Sequence, residues 1–153
     1  MSVKANNYLT GKLGEKLAAM YLQAKGYKII QTNYRSNRFC ELDIVAKNKD
    51  DIYVFIEVKT RFNDLKNISF NGYDEINKLK IKKLIYGINS YLANMTDNMQ
   101  SSAQLDVIVI YISKSDFEAL KTKYANRSDR DFLAAVNKIA TINHLENISI
   151  DLI

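Results

Sequence analysis

The feature that most constrains this sequence is an unbroken apolar run in its second half, Val107 to Ile112. With Gln104 at its head it reads as one strand over 104–112, and a strand apolar at successive positions belongs in the centre of a sheet. The run is far shorter than the roughly 20 apolar residues that span a bilayer, and no other run exceeds it. No membrane partner is expected. Residues 1–12 carry Lys4, Asn6, Asn7 and Lys12 without an apolar core, so no secretory signal is expected and the cytoplasm is the expected compartment.

Periodicity on either side supplies the partners of this strand. Leu13, Leu17, Met20, Tyr21 and Ala24 recur at helical spacing before Gly26, which predicts a helix over 10–25 with Lys12, Lys16 and Gln23 on its wet face. Residues 27–32 read as a strand and 33–38 as a polar turn. Residues 39–47 and 52–61 then read as two strands of a hairpin. Ile81, Leu84, Ile85, Ile88 and Leu92 mark a second long helix over 74–94. Ser115 with Glu118, and Ser128 before an Asp-rich stretch, start two shorter helices, and 148–153 reads as a last strand. The order αβββαβααβ has no proline, no glycine-rich linker and no repeat. It predicts a single α/β domain over 1–153, one mixed β-sheet with flanking helices.

The hairpin holds the candidate chemistry. Side chains alternate along a strand, so Tyr53, Phe55, Glu57 and Lys59 share one face, apolar at its start and charged at its end. A purely solvated face would be polar throughout. On the preceding strand Glu41, Asp43 and Val45 share a face. An odd-length loop makes paired positions sum to 100, with Asp43 opposite Glu57 and Glu41 opposite Lys59, whereas an even loop puts the acids on opposite faces. In the odd register the two carboxylates repel, and a divalent cation held by hard oxygen donors would relieve them. Lys59 would then stand beside the metal, able to orient water or to neutralise charge on a phosphate. The plain alternative is a cross-strand ion pair between Glu41 and Lys59. One cysteine, Cys40, and one histidine, His144, exclude a disulfide frame and a Cys/His zinc site. Glu15 shares a third side of the first helix with Gly11, Ala18, Ala19 and Leu22. It is either drawn inward by those small residues or is an acid near a helix start, favoured by the dipole.

Charge is unevenly placed. The first 83 residues hold sixteen basic and nine acidic groups, more than the whole surplus of +5, and Arg35, Arg38, Arg61 and Lys80 are among the basic ones. A polyanion such as nucleic acid is the partner this surplus suits, although basic groups also serve as solvated surface.

The residues in order sharpen this. Gly14-Glu15 with Ala18 and Tyr21-Leu22, Gly26-Tyr27, Asn33 and Arg35, Glu41 to Ala46, Val54 to Arg61, Lys80, Tyr91-Leu92, Asp106 to Ile108, and His144, Leu145 and Asn147 together resemble the YraN family of small bacterial proteins. That family is a branch of the PD-(D/E)XK nuclease superfamily, similar in fold to archaeal Holliday-junction resolvases. The resemblance implies a restriction-endonuclease-like fold with an αβββαβ core. It makes Asp43 and Glu57 ligands of Mg2+ or Mn2+, Lys59 the catalytic lysine and Glu15 a helix-borne catalytic acid of the same site. Cys40 stands where the family has glycine, Gln104 where it has arginine, and 113–138 is a helical insertion. The function it implies is hydrolysis of phosphodiester bonds in DNA rather than RNA, branched DNA included; the basic surplus offers Arg35, Arg38, Arg61 and Lys80 as nucleic-acid contacts. Two other readings stay open: a nucleic-acid-binding protein of nuclease fold without turnover, and a partner-binding protein in which the insertion carries the function. Monomer and homodimer are both compatible with the sequence.

Overall fold

The computed structural model describes residues 3–36, 40–63, 77–95 and 102–148. Arg38, the start of the expected second helix and residues 149–153 of the expected last strand lie outside them. The observed order is α1 (Val3–Ala24), β1 (Lys28–Ser36), β2 (Cys40–Lys47), β3 (Tyr53–Phe62), α2 (Lys78–Ala93), β4 (Ala103–Ile112), α3 (Lys114–Lys123), α4 (Asp129–Ile139) and β5 (Thr141–Leu145). One five-stranded sheet runs β1-β2-β3-β4-β5, antiparallel except where β4 lies parallel to β3.

The apolar run explains the layering. Val107 and Val109 join Leu42, Val45, Phe55 and Leu105 beneath Ile81, Leu84 and Ile88 of α2. Ile108, Ile110 and Ile112 join Ile44, Ala46, Val54 and Ile56 on the opposite face, beneath Leu17, Ala18 and Leu22 of α1 and Val136 of α4. Each such Leu or Ile, when fully buried, contributes roughly 1.5–3 kcal/mol relative to exposure. A helix layer on each face therefore makes successive positions of β4 from Val107 to Ile112 apolar. Among the described residues no helix is long and apolar enough to cross a membrane.

Three expectations need correction, and a fourth, the strand over 148–153, is described only at Ile148. Residues 33–36 continue β1 rather than forming a turn, because β2 pairs with them through Tyr34↔Leu42, Arg35↔Glu41 and Ser36↔Cys40. The helix expected from 74 is capped by Asn77, whose side chain accepts the Lys80 backbone N–H, so α2 starts at Lys78. The last described strand is Thr141–Leu145, paired to β4, and Ile148 only donates its N–H to Leu105 O beyond the strand's end. Finally, α1 starts at Val3, so Glu15 sits mid-helix and its position owes nothing to an N-terminal dipole.

Candidate functional site

The turn between β2 and β3 sets the register on which the site depends. Asn48 Oδ1 accepts the backbone N–H groups of Asp50 and Ile52, both at 3.0 Å, and Asp51 adopts a positive φ of 60°. This closes a loop over 48–52, an odd length, and pairs Lys47↔Tyr53, Ala46↔Val54, Val45↔Phe55 and Ile44↔Ile56. The sums are all 100. The pairing ends at Ile44↔Ile56, one step short of the expected Asp43 and Glu57.

At that step the sheet forks. Beyond Ile44, β2 stays with β1, while β3 stays with β4 as far as Phe62↔Ile112. Alternation also breaks here, since Leu42 and Val45 belong to the α2 side while Ile44 and Ala46 belong to the α1 side. Asp43 Oδ2 accepts the Val58 N–H at 2.7 Å, filling the place of the lost ladder partner. A side chain thus holds the mouth of the fork open.

Glu57 is 2% exposed, yet it is not balanced. Its Oε1 accepts from Lys59 Nζ at 2.6 Å and Lys80 Nζ at 2.9 Å, whereas its buried Oε2 has no hydrogen-bond partner. A buried acceptor left unmade carries a desolvation penalty of about 1–3 kcal/mol. Asp43 bears the electrostatic consequence. Its burial, reinforced by the charge of Glu57, pushes its carboxyl from the ordinary 3.8 up to about 7, against the opposing pull of the Val58 N–H and Lys80. The raised proton affinity of Asp43 thus follows from its burial at the fork beside the buried Glu57 carboxylate.

Glu15 approaches from α1. Gly14 lets the helix lie against β3, because a Cβ there would collide with Thr60 Oγ1. Glu15 Oε2 accepts from Asn33 Nδ2 at 2.9 Å and from Lys12 Nζ at 3.2 Å, and Lys12 also donates to Asn33 Oδ1 at 2.6 Å. Its charge reaches Asp43 only as the weakest of the influences raising that group. Glu15 is drawn inward, with 18% of its side chain exposed, but its hydrogen bonds go to Lys12 and Asn33. Lys12, expected on the wet face, is part of this cluster.

The structure thus brings Asp43, Glu57, Lys59 and Lys80 together and sets Glu15 at the edge. Arg35 and Arg61 lie elsewhere, and Arg38 is outside the described residues. Arg35 is an exposed β1 residue paired with Glu41 at 3.4 Å, which also removes the Glu41 to Lys59 pair as an explanation of the face. Arg61 is exposed at the end of β3, its guanidinium donating to Thr60 O. Among the described residues no three Asp, Glu, His or Cys side chains cluster as a metal site.

Cys40 as a packing residue and His144 as a structural or groove-lining one are what the sequence favours, and the structure supplies their partners. Cys40 packs against Gly87 of α2, where a Cβ would strike its sulfur, so the missing methyl on the helix accommodates the side chain at Cys40. Burial raises the Cys40 thiol pKa, consistent with a packing role. Asp106 on β4 is fully buried and bonds to Gln104 Nε2 at 2.7 Å, His144 Nε2 at 2.8 Å and the Asn147 N–H at 2.9 Å. His144 is thereby a structural residue that ties β5 to β4. A lone acid between Leu105 and the apolar run was the available signal.

A mixed α/β sheet covered by helices on both faces, and forked over a buried carboxylate with two lysines, defines a protein of the restriction-endonuclease-like fold class. The particular family follows from comparison with known proteins. The family described as Uncharacterised protein family UPF0102, the YraN family, matches residues 14–110. A UPF0102 protein of Clostridioides difficile is 39% identical over 107 residues, covering 70% of this chain and 89% of its own. Others from Flavobacterium psychrophilum and Campylobacter fetus are 34% and 37% identical over 71% and 72% of this chain, and 85% and 90% of theirs. The chain belongs to this family. Asp43, Glu57, Lys59, Lys80 and Glu15 all fall within the matched residues, and α3, α4 and β5 fall beyond them.

Proposed function

We propose that the protein is a divalent-metal-dependent nuclease that hydrolyses phosphodiester bonds in DNA, branched DNA included. The observation that carries this reading is the buried Glu57, with two lysines on one oxygen and none on the other, beside a half-buried Asp43 whose proton affinity it raises. Glu57 Oε2 and the Asp43 oxygen not used by Val58 are hard donors suited to Mg2+ or Mn2+. When bound, such an ion would polarise a phosphate oxygen and lower the pKa of water. Lys59, a quarter exposed, can turn from Glu57 toward a phosphate oxygen and neutralise charge there as water adds to phosphorus and the bridging P–O bond breaks. Lys80, on α2, can swing in the same way. Glu15 acts on the site through its charge on Asp43.

In this reading residues 1–153 form one nuclease-like domain, with 113–138 as a helical insertion, acting in the cytoplasm on a DNA partner. A second reading, a DNA-binding protein of this fold without turnover, draws on one observation: Glu15 is held by Lys12 and Asn33 instead of completing a third ligand. Incubation of the wild type with linear, flapped and four-way DNA in Mg2+, Mn2+ or EDTA separates the two. Metal-dependent cleavage is expected, reduced at least about a hundredfold in Asp43→Ala, Glu57→Ala and Lys59→Ala. Metal-free DNA binding should persist or tighten in the two carboxylate variants, which lose repulsion against phosphate. Cleavage that survives EDTA or all three substitutions refutes the mechanism, and tight binding without cleavage favours the second reading.

A further inference from the structure

α3 and α4 form a helical hairpin beyond the family match, and its placement is well determined by packing. Phe117 of α3 packs at a tilt against Phe62 at the end of β3, with ring centres 4.8 Å apart, and against Phe132 of α4 at 5.7 Å. Val136 of α4 is buried beside α1. Both helices have serine N-caps, Ser113 and Ser128, each accepting a backbone N–H of the first turn. These contacts account for the apolar side of the hairpin. They leave its other side unexplained.

That other side holds a groove of about 460 Å3 lined by Lys123, Tyr124, Arg127, Asp131 and Lys138, with the small Ala134 and Ala135 leaving it open. Arg127 and Lys138 are exposed and have no ion-pair partner among the described residues, and Lys123 meets only the Tyr124 ring, 5.8 Å from its centroid. The acid in the lining, Asp131, is turned to the Ser128 hydroxyl at 2.8 Å. Lys123 and Lys138 stand in last helical turns, where the dipole favours a cation, but Arg127 lies between the helices and has no such reason to be there. No large exposed apolar side chain lies in the patch, so it offers nothing to a bilayer. Arg127 precedes α4 and Lys138 stands in its last turn, so the cations are spread along the helix, which suits a chain of phosphates better than a single one.

We propose that this groove is a second nucleic-acid site that holds the phosphodiester backbone of DNA flanking the segment at the Asp43 and Glu57 fork, an inference that rests on the DNA reading above. The packing of Phe117 on Phe62 ties the hairpin to the end of β3, the strand that carries Glu57. The half-buried Tyr124 supplies a stacking face for a base or sugar at the groove's edge.

The test measures affinity for labelled linear and four-way DNA in EDTA over a salt series, for wild type, the double variant Arg127→Ala/Lys138→Ala, and the control Lys28→Ala, an exposed lysine of β1. The double variant should keep the wild-type melting temperature, bind more weakly, and lower the slope of log affinity against log salt by about 1.8 for duplex DNA. The control should not change it. If the wild type binds and the double variant matches it in slope and affinity, the groove proposal fails while the DNA reading stands. An equal fall in the control overturns the groove as well, since a diffuse field would then explain the binding. If the wild type binds no DNA at low salt, both proposals fall together.

Discussion

Two buried carboxylates on neighbouring strands meet opposite fates. Asp106 on β4 is 0% exposed and both its oxygens are engaged, by Gln104 and Asn147 on one and His144 on the other. Glu57 on β3 is 2% exposed, but its two lysines crowd one oxygen and leave the other without a partner. The Asp106 cluster joins β4, β5 and the chain beyond, and its partner His144 is itself 3% exposed. The cations of Glu57 are 25% and 34% exposed, at a fork where the ladder has parted. A satisfied buried carboxylate holds structure together, whereas one left half satisfied within reach of mobile cations keeps binding capacity in reserve.

The sharpest way to break this comparison is Asp106→Ala. It would strand the Gln104 amide, the His144 ring and the Asn147 N–H, at a cost of about 3–5 kcal/mol, read as a fall in melting temperature of roughly 10 °C. A loss near zero would show that the cluster is not structural.

Asp43 should give the next largest effect, and one that depends on pH. Its folded pKa lies above the ordinary value, so its contribution to stability is present in full below about pH 4 and is lost as pH rises through about 7. Asp43→Asn escapes that loss. Melting in EDTA should therefore show the variant level with wild type at pH 4 and several degrees more stable at pH 8. A constant difference across the range would contradict the strain assigned to the pair.

The smallest effect on folding belongs to Glu57→Gln, because Lys59 and Lys80 can turn to water when the charge is removed. Its stability should stay within about 1 kcal/mol of wild type. Added Mn2+ should raise the melting temperature of the wild type and not of this variant. A loss as large as that of Asp106→Ala would erase the distinction between the two carboxylates.

Much of the fold was legible because burial is written locally. The period of Ile81, Leu84 and Ile88 marked α2, and the unbroken run of β4 marked a strand between two helix layers. The same-face placement of Phe55, Glu57 and Lys59 followed from the two-residue repeat of a strand. Less legible were the ends of elements. Residues 33–36 look like a turn because they are polar, yet pairing with β2 carries them as strand. The first helical residues from Val3 lack the apolar spacing that revealed the rest of α1.

By itself the sequence determined the element order, the two-faced burial of β4, and the shared face of Glu57 and Lys59, since each depends on the period of side chains along one element. The partnerships of the charged groups were decided by tertiary structure. Lys80 reaches Glu57 only because α2 packs over β3, Glu15 turns to Asn33 because β1 extends past its expected end, and Asp43 meets Glu57 because Asn48 closes an odd loop. A charged side chain takes its partner from whatever the packing of distant elements brings within about 3 Å, and no local spacing encodes that distance.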